Sequence, residues 1–291
     1  MSYRVDLHTH STASDGKLVP SEVVRLALRS GVRVMSLTDH DTTEGVLDAQ
    51  NTGRELGLEV IAGIEINSEG EHGDAHLLGY FVDPSEPSLQ EQLLAIRDAR
   101  VGRTRGMLKK LAAMGMPLGW EHVMAIAGEA VSIARPHVAR AMVEAGYVAT
   151  TQEAFDKYIS NTGPAYVNRL RMTMTETIGY IHGAGGVAVI AHAAESKLVH
   201  LIPQLVEAGL DGVEVYYPKH TPEQQAELLG LALQYNLVIT GGSDFHMLDD
   251  KSHGQIGCVD VPSDTVEKLR ARHASTLARP LSNPPFPSSA Q

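Results

Sequence analysis

Val5-Asp6-Leu7-His8-Thr9-His10 sets two histidines two apart at the end of a short apolar run. On a β-strand, residues i and i+2 share a face, so both imidazoles reach toward one point, and a metal ion is the object that best satisfies them there. The arrangement returns along the chain. Thr38-Asp39-His40-Asp41 follows the apolar run Val32 to Leu37, and Gly63-Ile64-Glu65 follows Leu58 to Ala62. His76 opens His76-Leu77-Leu78-Gly79-Tyr80, His192 follows Val187 to Ala191, and Ser243-Asp244-Phe245-His246 follows Leu237 to Gly242. Hydrophobic strands ending in His, Asp or Glu converge on one rim of a parallel barrel or sheet. The pattern predicts a multinuclear metal centre.

At 291 residues the chain exceeds the usual single-domain size, yet α/β barrels reach this length as one unit, so one core with an insertion is expected. Its hydrophobic share of 43% and charged share of 20% are those of a globular protein. No apolar run approaches the ~18 residues of a membrane span, and no basic segment followed by an apolar one stands at the N-terminus. A cytoplasmic location without membrane association is therefore expected. The single Cys258 makes no internal disulfide, fits a reducing compartment and removes cysteine clusters as metal sites. A formal net charge of -11 argues against general affinity for long nucleic acids, which bind through Lys and Arg. Carboxylates that hold divalent cations are neutralised in place, so a small phosphorylated substrate stays compatible with that charge.

From Met1 to about Val82 the order reads strand, helix, strand, helix, strand, strand. The helices are predicted at Val19 to Leu28 and at Thr42 to Leu56, where Thr42-Thr43-Glu44 has the composition of a helix start. Asp83-Pro84-Ser85-Glu86-Pro87 breaks the rhythm. Four helical stretches follow almost without strand signal: Leu89 to Met114, Trp120 to Ala127, Pro136 to Ala145 and Gln152 to Ser160. Residues 99–165 are assigned to a helical insertion able to cap a barrel mouth, between barrel segments 1–98 and 166–277. Alternation returns with a helix at Thr175 to Gly183, a strand at Gly186 to Ala191 and a helix near Leu198 to Ala208. A strand at Gly212 to Tyr216, a helix at Pro222 to Tyr235 and a strand at Leu237 to Thr240 complete it. Residues 278–291, rich in Pro and Ser, read as a loosely ordered tail.

Set side by side, His8-Thr9-His10, Asp15, Thr38-Asp39-His40-Asp41, Gly63-Ile64-Glu65, His76, Ala191-His192 and Gly242-Ser243-Asp244-Phe245-His246 resemble the motifs of the PHP (polymerase and histidinol phosphatase) family. These are metal-dependent phosphoesterases within the wider amidohydrolase group. The resemblance runs from residue 8 to residue 246, omitting the insertion. It implies an α/β fold, a distorted seven-stranded (β/α) barrel of TIM-like form, and three divalent metal ions. Carried onto this sequence, it implies one ion held by His8, His10, Glu65 and Asp244. A second is bridged by Glu65 and held by His76 and His192, and a third is held by Asp15, His40 and His246. Neutral imidazoles with carboxylates and no thiolate suit Mn, Fe or Zn, with Mn the first choice. Asp15 stands where histidinol phosphatases place a histidine, and Ala193 follows His192 where proline is common; both departures point away from that branch. Asp39 and Asp41 flank a ligand and either orient histidines, cap the next helix or ligate directly. His72, His122, His182, His200, His220, His253 and His273 lack such context and read as ordinary polar or surface residues.

Two neighbouring ions lower the pKa of a bridging water and clamp the oxygens of an in-line displacement. The resemblance thus implies phosphoester hydrolysis through a metal-bridging hydroxide, with Glu65 and Asp244 at its centre. Cations for the rest of the substrate are Lys17, beside Asp15, together with Arg135 and Arg169 at either end of the insertion. A bidentate guanidinium there suits a second phosphate, and Pro136 starts a helix whose N-terminus favours anions. The segment Ala134-Arg135-Pro136-His137-Val138-Ala139, with an insertion of this size, resembles the PHP subgroup acting on nucleotides, including 3',5'-nucleotide bisphosphate phosphatases and short-RNA 5'-end nucleases. That likeness implies removal of the 3'-phosphate from a nucleoside 3',5'-bisphosphate, with the 5'-phosphate held by the arginines. Ser243 is a further substrate contact, and His137 contacts substrate or donates a proton to the leaving oxygen. A 5'-to-3' exonuclease on short RNA and a phosphatase for another small molecule stay open. A non-catalytic metal-binding module is disfavoured because every ligand position carries a competent side chain. No obligate protein partner is implied.

Overall fold

Residues 3–70, 73–127, 135–167, 172–250 and 252–278 are described by the computed structural model of the protein. The elements in chain order are β1 (Arg4–Asp6), α1 (Pro20–Arg29), β2 (Val32–Leu37), α2 (Val46–Leu56), β3 (Glu59–Gly70), β4 (Gly73–Tyr80), α3 (Pro87–Ala113), α4 (Trp120–Ala127), α5 (Arg135–Glu144) and α6 (Thr151–Ala154). They continue with β5 (Met172–Thr173), α7 (Met174–Gly183), β6 (Val187–Ile190), α8 (Ile202–Glu207), β7 (Gly212–Tyr216), α9 (Pro222–Gln234), β8 (Val238–Gly241) and α10 (Thr265–Leu277). The chain divides into one unit of Met1–Glu91 with Arg171–Gln291 and another of Gln92–Leu170.

In the first unit the strands form one mixed eight-stranded sheet in the order β1-β2-β3-β4-β6-β7-β8, with β5 paired to β3 off that path. β1 with β2, β2 with β3, β6 with β7 and β7 with β8 pair parallel, whereas β4 runs antiparallel to both β3 and β6. Gly70 pairs with Gly73, so the link between β3 and β4 is far too short for a helical crossover and the chain must reverse. The two consecutive strands expected before Val82 are β3 and β4, and their reversal makes the sheet mixed. Beyond the ends of β1 and β8, Leu7 N–H donates to Gly241 O (3.1 Å), Asp244 N–H to His8 O (2.8 Å) and His10 N–H to Phe245 O (2.8 Å).

Local chemistry sets most boundaries. Pro20 opens α1, and Val23, Val24 and Ala27 bury one stripe of it. Capping boxes start α7 (Thr173 with Glu176) and α9 (Thr221 with Gln224). α2 begins at Val46, not at Thr42. The preceding residues are engaged elsewhere: Asp41 has φ 51° and its N–H donates to Glu65 O at 2.8 Å. α10 escaped the sequence reading because its buried apolar residues are few, chiefly Val266 and Leu269, among Lys and Arg. One buried cluster of this unit draws Val5, Leu7, Leu78, Val189 and Val238 together with those two residues. Another packs Val23, Val24 and Ala27 against Met35 and Leu37.

The second unit is helical, and its core gathers Met107, Leu111, Val123, Val138, Met142 and Ile159. α3 is one continuous helix, so the boundary expected at residue 99 falls inside it, and the units part at 92. Arg169, His72 and residues 279–291 of the tail lie outside the described residues. Among the described residues, no helix is long and apolar enough to cross a membrane.

Candidate metal centre

Strand ends deliver the site. His8 and His10 follow β1, His40 follows β2, His192 follows β6, and Asp244 and His246 follow β8; Glu65 and His76 lie within β3 and β4. A bridge between His40 and Glu65 continues the parallel pairing of β2 with β3. Glu65 is the hub. Its Oε2 lies 3.2 Å from His8 Nε2, His10 Nε2 and His40 Nδ1, and its Oε1 lies 2.8 Å from His76 Nδ1 and 3.3 Å from His192 Nε2. Asp244 Oδ1 approaches His8 Nε2 at 3.3 Å and His10 Nε2 at 3.1 Å. Asp15 meets His246 at 3.3 Å, His10 at 3.8 Å and His40 at 3.9 Å.

All nine residues expected as metal ligands therefore fall in the first unit and around one place. Ligand atoms within 4.8 Å of one another define the groups His8, His10, Glu65 and Asp244; His10, Asp15, His40 and His246; and His40, Glu65 and His76. The first group matches the expected set. The second adds His10 to the expected trio, and the third contains His40 while His192 approaches the same Glu65 oxygen from beside it. A fourth group, Asp244, His246 and His253, was not anticipated.

Both ring nitrogens of His10 are buried without a hydrogen bond of regular geometry, although Nε2 faces two carboxylates. Imidazole and carboxylate groups converging in this way need a cation between them, and donors of nitrogen and oxygen without thiolate fit Mn, Fe or Zn. The buried groups also shift one another's ionisation. Burial works against charge on His10, yet Asp244 and Glu65 raise its pKa to about 10. Burial also opposes ionisation of Glu65, but the imidazoles of His40, His8 and His76 hold it well below the usual carboxylate range. Burial lowers His40 to about 3, with His10 and His76 adding to it against the pull of Glu65 and Asp15. Three site residues adopt left-handed backbone, Asp41 (φ 51°), His192 (φ 28°) and Asp244 (φ 54°). Non-glycine residues hold such conformations at a cost of about 1–3 kcal/mol each, where the surroundings enforce them.

Several groups aim the ligands. Glu214 takes the Nδ1–H of His8 on Oε1 (2.9 Å) and the N–H of His192 on Oε2 (2.8 Å), fixing which ring nitrogen of His8 faces inward. Tyr217 OH donates to Asp244 Oδ2 at 3.1 Å. Asp39 accepts from Ser11 N–H, Ser11 Oγ and Ser14 Oγ, each at 2.7 Å, and so ties the loop after His10 rather than joining a metal-capable group. Asp41 accepts from Asn67 N–H and Nδ2, both at 2.9 Å. The lone acid inside the apolar run Gly212-Val213-Glu214-Val215-Tyr216 was the available signal for Glu214. His253 is not an ordinary surface residue: it stacks on His246 at 4.2 Å, and its Nδ1–H donates to Asp250 Oδ2 at 2.8 Å. His220, buried, donates from Nδ1 to Val215 O at 2.9 Å.

The ligands open onto a cavity of about 370 Å³, also lined by Glu195, Tyr217, Lys219 and His253. Of the described first-unit residues expected to hold substrate, Lys17 and Ser243, neither is among those lining it. Lys17 is exposed, with its backbone N–H on His246 O (2.8 Å). Ser243 is fully buried, its N–H donating to Asp6 Oδ1 (2.9 Å) and its hydroxyl facing His8 O (3.5 Å). It lies behind the cavity lining, against the backbone of His8. Arg135 and His137 belong to the second unit, where Arg135 donates to Asn161 Oδ1 (2.8 Å) and Ile159 O (3.4 Å).

The family model described as PHP domain matches residues 6–160. A 3',5'-nucleoside bisphosphate phosphatase of Chromobacterium violaceum is 33% identical over 247 residues, covering 83% of this chain and 87% of that protein. A 5'-3' exoribonuclease of Haemophilus influenzae is 34% identical over 251 residues, covering 84% of this chain and 91% of that protein. A solved chain from Bifidobacterium adolescentis, assigned as a metal-dependent phosphoesterase, superposes with a TM-score of 0.78 at 32% identity, covering 94% of this chain and 97% of that one.

Proposed function

The chain belongs to the PHP domain family, and on that premise we propose that it hydrolyses the 3'-phosphate of nucleoside 3',5'-bisphosphates, yielding the 5'-monophosphate and phosphate. The observation that carries phosphoester chemistry is the meeting of five imidazoles on the two oxygens of Glu65. The bisphosphate rests on the likeness to the Chromobacterium phosphatase. On the same premise the seven strands of the main path, β1 to β4 and β6 to β8, read as a distorted (β/α) barrel and the second unit as its helical insertion.

We assign three divalent ions, Mn first, to His8, His10, Asp15, His40, Glu65, His76, His192, Asp244 and His246. When bound they would supply Lewis-acid charge to phosphoryl oxygens and bring the pKa of an attacking water toward neutrality. The chain's own groups do the positioning. Glu65 divides its oxygens between two sets of imidazoles, Glu214 holds His8 in one tautomer, and Tyr217 turns Asp244 Oδ1 toward His8 and His10. Lys17, Arg135 and Arg169 are assigned to substrate phosphate. His137 is assigned to substrate or to protonation of the leaving oxygen.

A 5'-to-3' exonuclease acting on short RNA is the second reading, favoured by the likeness to the Haemophilus enzyme. Phosphate release by protein loaded with Mn, compared on adenosine 3',5'-bisphosphate, AMP, histidinol phosphate and a short 5'-phosphorylated RNA, separates the two. Preference for the bisphosphate with AMP as product is the expected result. Stepwise release of mononucleotides from RNA, with the bisphosphate untouched, would move the assignment to RNA ends.

A further inference from the structure

Among the described residues, the cavity beside the ligands is lined by the carboxylates Asp15, Glu65, Glu195 and Asp244 and by one lysine, Lys219. Asp15, Glu65 and Asp244 face imidazoles, whereas Glu195 faces Lys219, Oε1 to Nζ, at 2.7 Å. Ions held at the ligand carboxylates consume those negative charges, which leaves Lys219 and Glu195 as the remaining ammonium and carboxylate among the described residues that line the cavity.

Lys219 sits in the short loop between β7 and α9, and that loop is pinned on both sides. His220 N–H donates to Tyr217 O (3.1 Å), the His220 ring holds Val215 O (2.9 Å), and the Thr221–Gln224 capping box starts α9. The Tyr217 hydroxyl is tied to Asp244. A long flexible side chain is thus presented from a rigid base, the arrangement that limits the ordering cost of binding. Lys219 and Glu195 stand farther out than the innermost ligands: His8, His10 and Glu65 are buried, while the Lys219 and Glu195 side chains are 42% and 37% exposed, at the open side of the site with the ligand Asp15. The reacting phosphoryl group must lie at the ligands, so the rim meets whatever part of the substrate projects outward. An ion pair this exposed contributes little to stability, and a phosphate with more charge and more acceptor oxygens than Glu195 can exchange for it.

We infer that Lys219 reads the non-reacting phosphate of the substrate, with Glu195 as the counter-ion that holds its ammonium until that phosphate arrives. This rests on the two-phosphate substrate proposed above. It adds a lysine of the first unit to the arginines assigned from sequence.

Titration calorimetry with AMP, which carries only the non-reacting phosphate, and with inorganic phosphate, which mimics only the reacting one, tests it on the full chain loaded with Mn. Lys219→Gln is expected to weaken AMP binding about tenfold while changing inorganic phosphate binding by less than about twofold. Glu195→Gln, which frees the ammonium, is expected to tighten AMP binding about threefold. The opposite signs are the signature, because a merely structural pair would shift both variants the same way. Equal losses for AMP and inorganic phosphate in Lys219→Gln, unchanged AMP binding, or a common sign in the two variants would each overturn the role of Lys219. Bisphosphate hydrolysis by the unsubstituted protein alongside unchanged AMP binding by Lys219→Gln removes Lys219 alone. Failure of the unsubstituted protein to bind AMP removes both readings.

Discussion

Asp39, just past the end of β2, and Glu65, within the adjacent parallel β3, are both buried carboxylates, and their partners are of opposite kinds. Asp39 faces hydrogen-bond donors whose geometry is complete: one backbone N–H and two serine hydroxyls. Glu65 faces five ring nitrogens gathered from four strands, and His10 among them has no regular hydrogen bond on either nitrogen. The same chemical group therefore serves as framework in one place and as a metal-ready centre in the other. Satisfied donors fix a loop, whereas converging lone pairs leave room for a cation.

Substitutions sharpen or break that contrast. Glu65→Gln, like removal of ions by a chelator, should lower phosphate release by at least about 100-fold, since both act on the ligands themselves, whose supporting partners alone carry 10–100-fold effects. The chelated protein should recover on adding Mn back, and recovery without any divalent ion would sink the contrast. Glu214→Gln keeps the shape but weakens the hold on His8, and should cost about 10–100-fold in metal affinity or turnover, read by metal titration beside kinetics. Asp39→Ala should instead appear as lost stability of roughly 1.5–3 kcal/mol in urea unfolding, the scale of hydrogen bonds to a charged group. A large turnover loss at unchanged stability would place Asp39 with the ligands. Smallest is Asp211→Asn, distant from the ligands in role: Asp211 accepts from His182 Nε2 (2.7 Å) and Ala188 N–H (3.1 Å). It should cost about 1 kcal/mol of stability with turnover per folded molecule unchanged.

Much of the centre was legible along the chain because its ligands obey a local rule. His8 and His10 share a face by strand period, and His40, His192, Asp244 and His246 each close an apolar run that becomes β2, β6 or β8. α2 was misplaced at its start because Thr42 to Glu44 have good helix-start chemistry that the neighbouring ties of Asp41 to Glu65 and Asn67 override. The reversal of β4 also had a local cause, in the short link after β3. Glu214, Tyr217, His253 and Lys219 were not legible in the same way. Each matters only through a partner distant in sequence, as Glu214 does through His8 and Tyr217 through Asp244.

The amino-acid sequence by itself determined the residue types, their placement at strand ends and, through these, the family and its metal-dependent chemistry. Tertiary structure alone decided which oxygen faces which imidazole, which serine is buried away from the cavity and which lysine lines it. The physical reason is that periodicity and capping act over a few residues of one segment. Convergence depends on pairing register between strands far apart in the chain, where a one-residue shift turns every side chain to the other face.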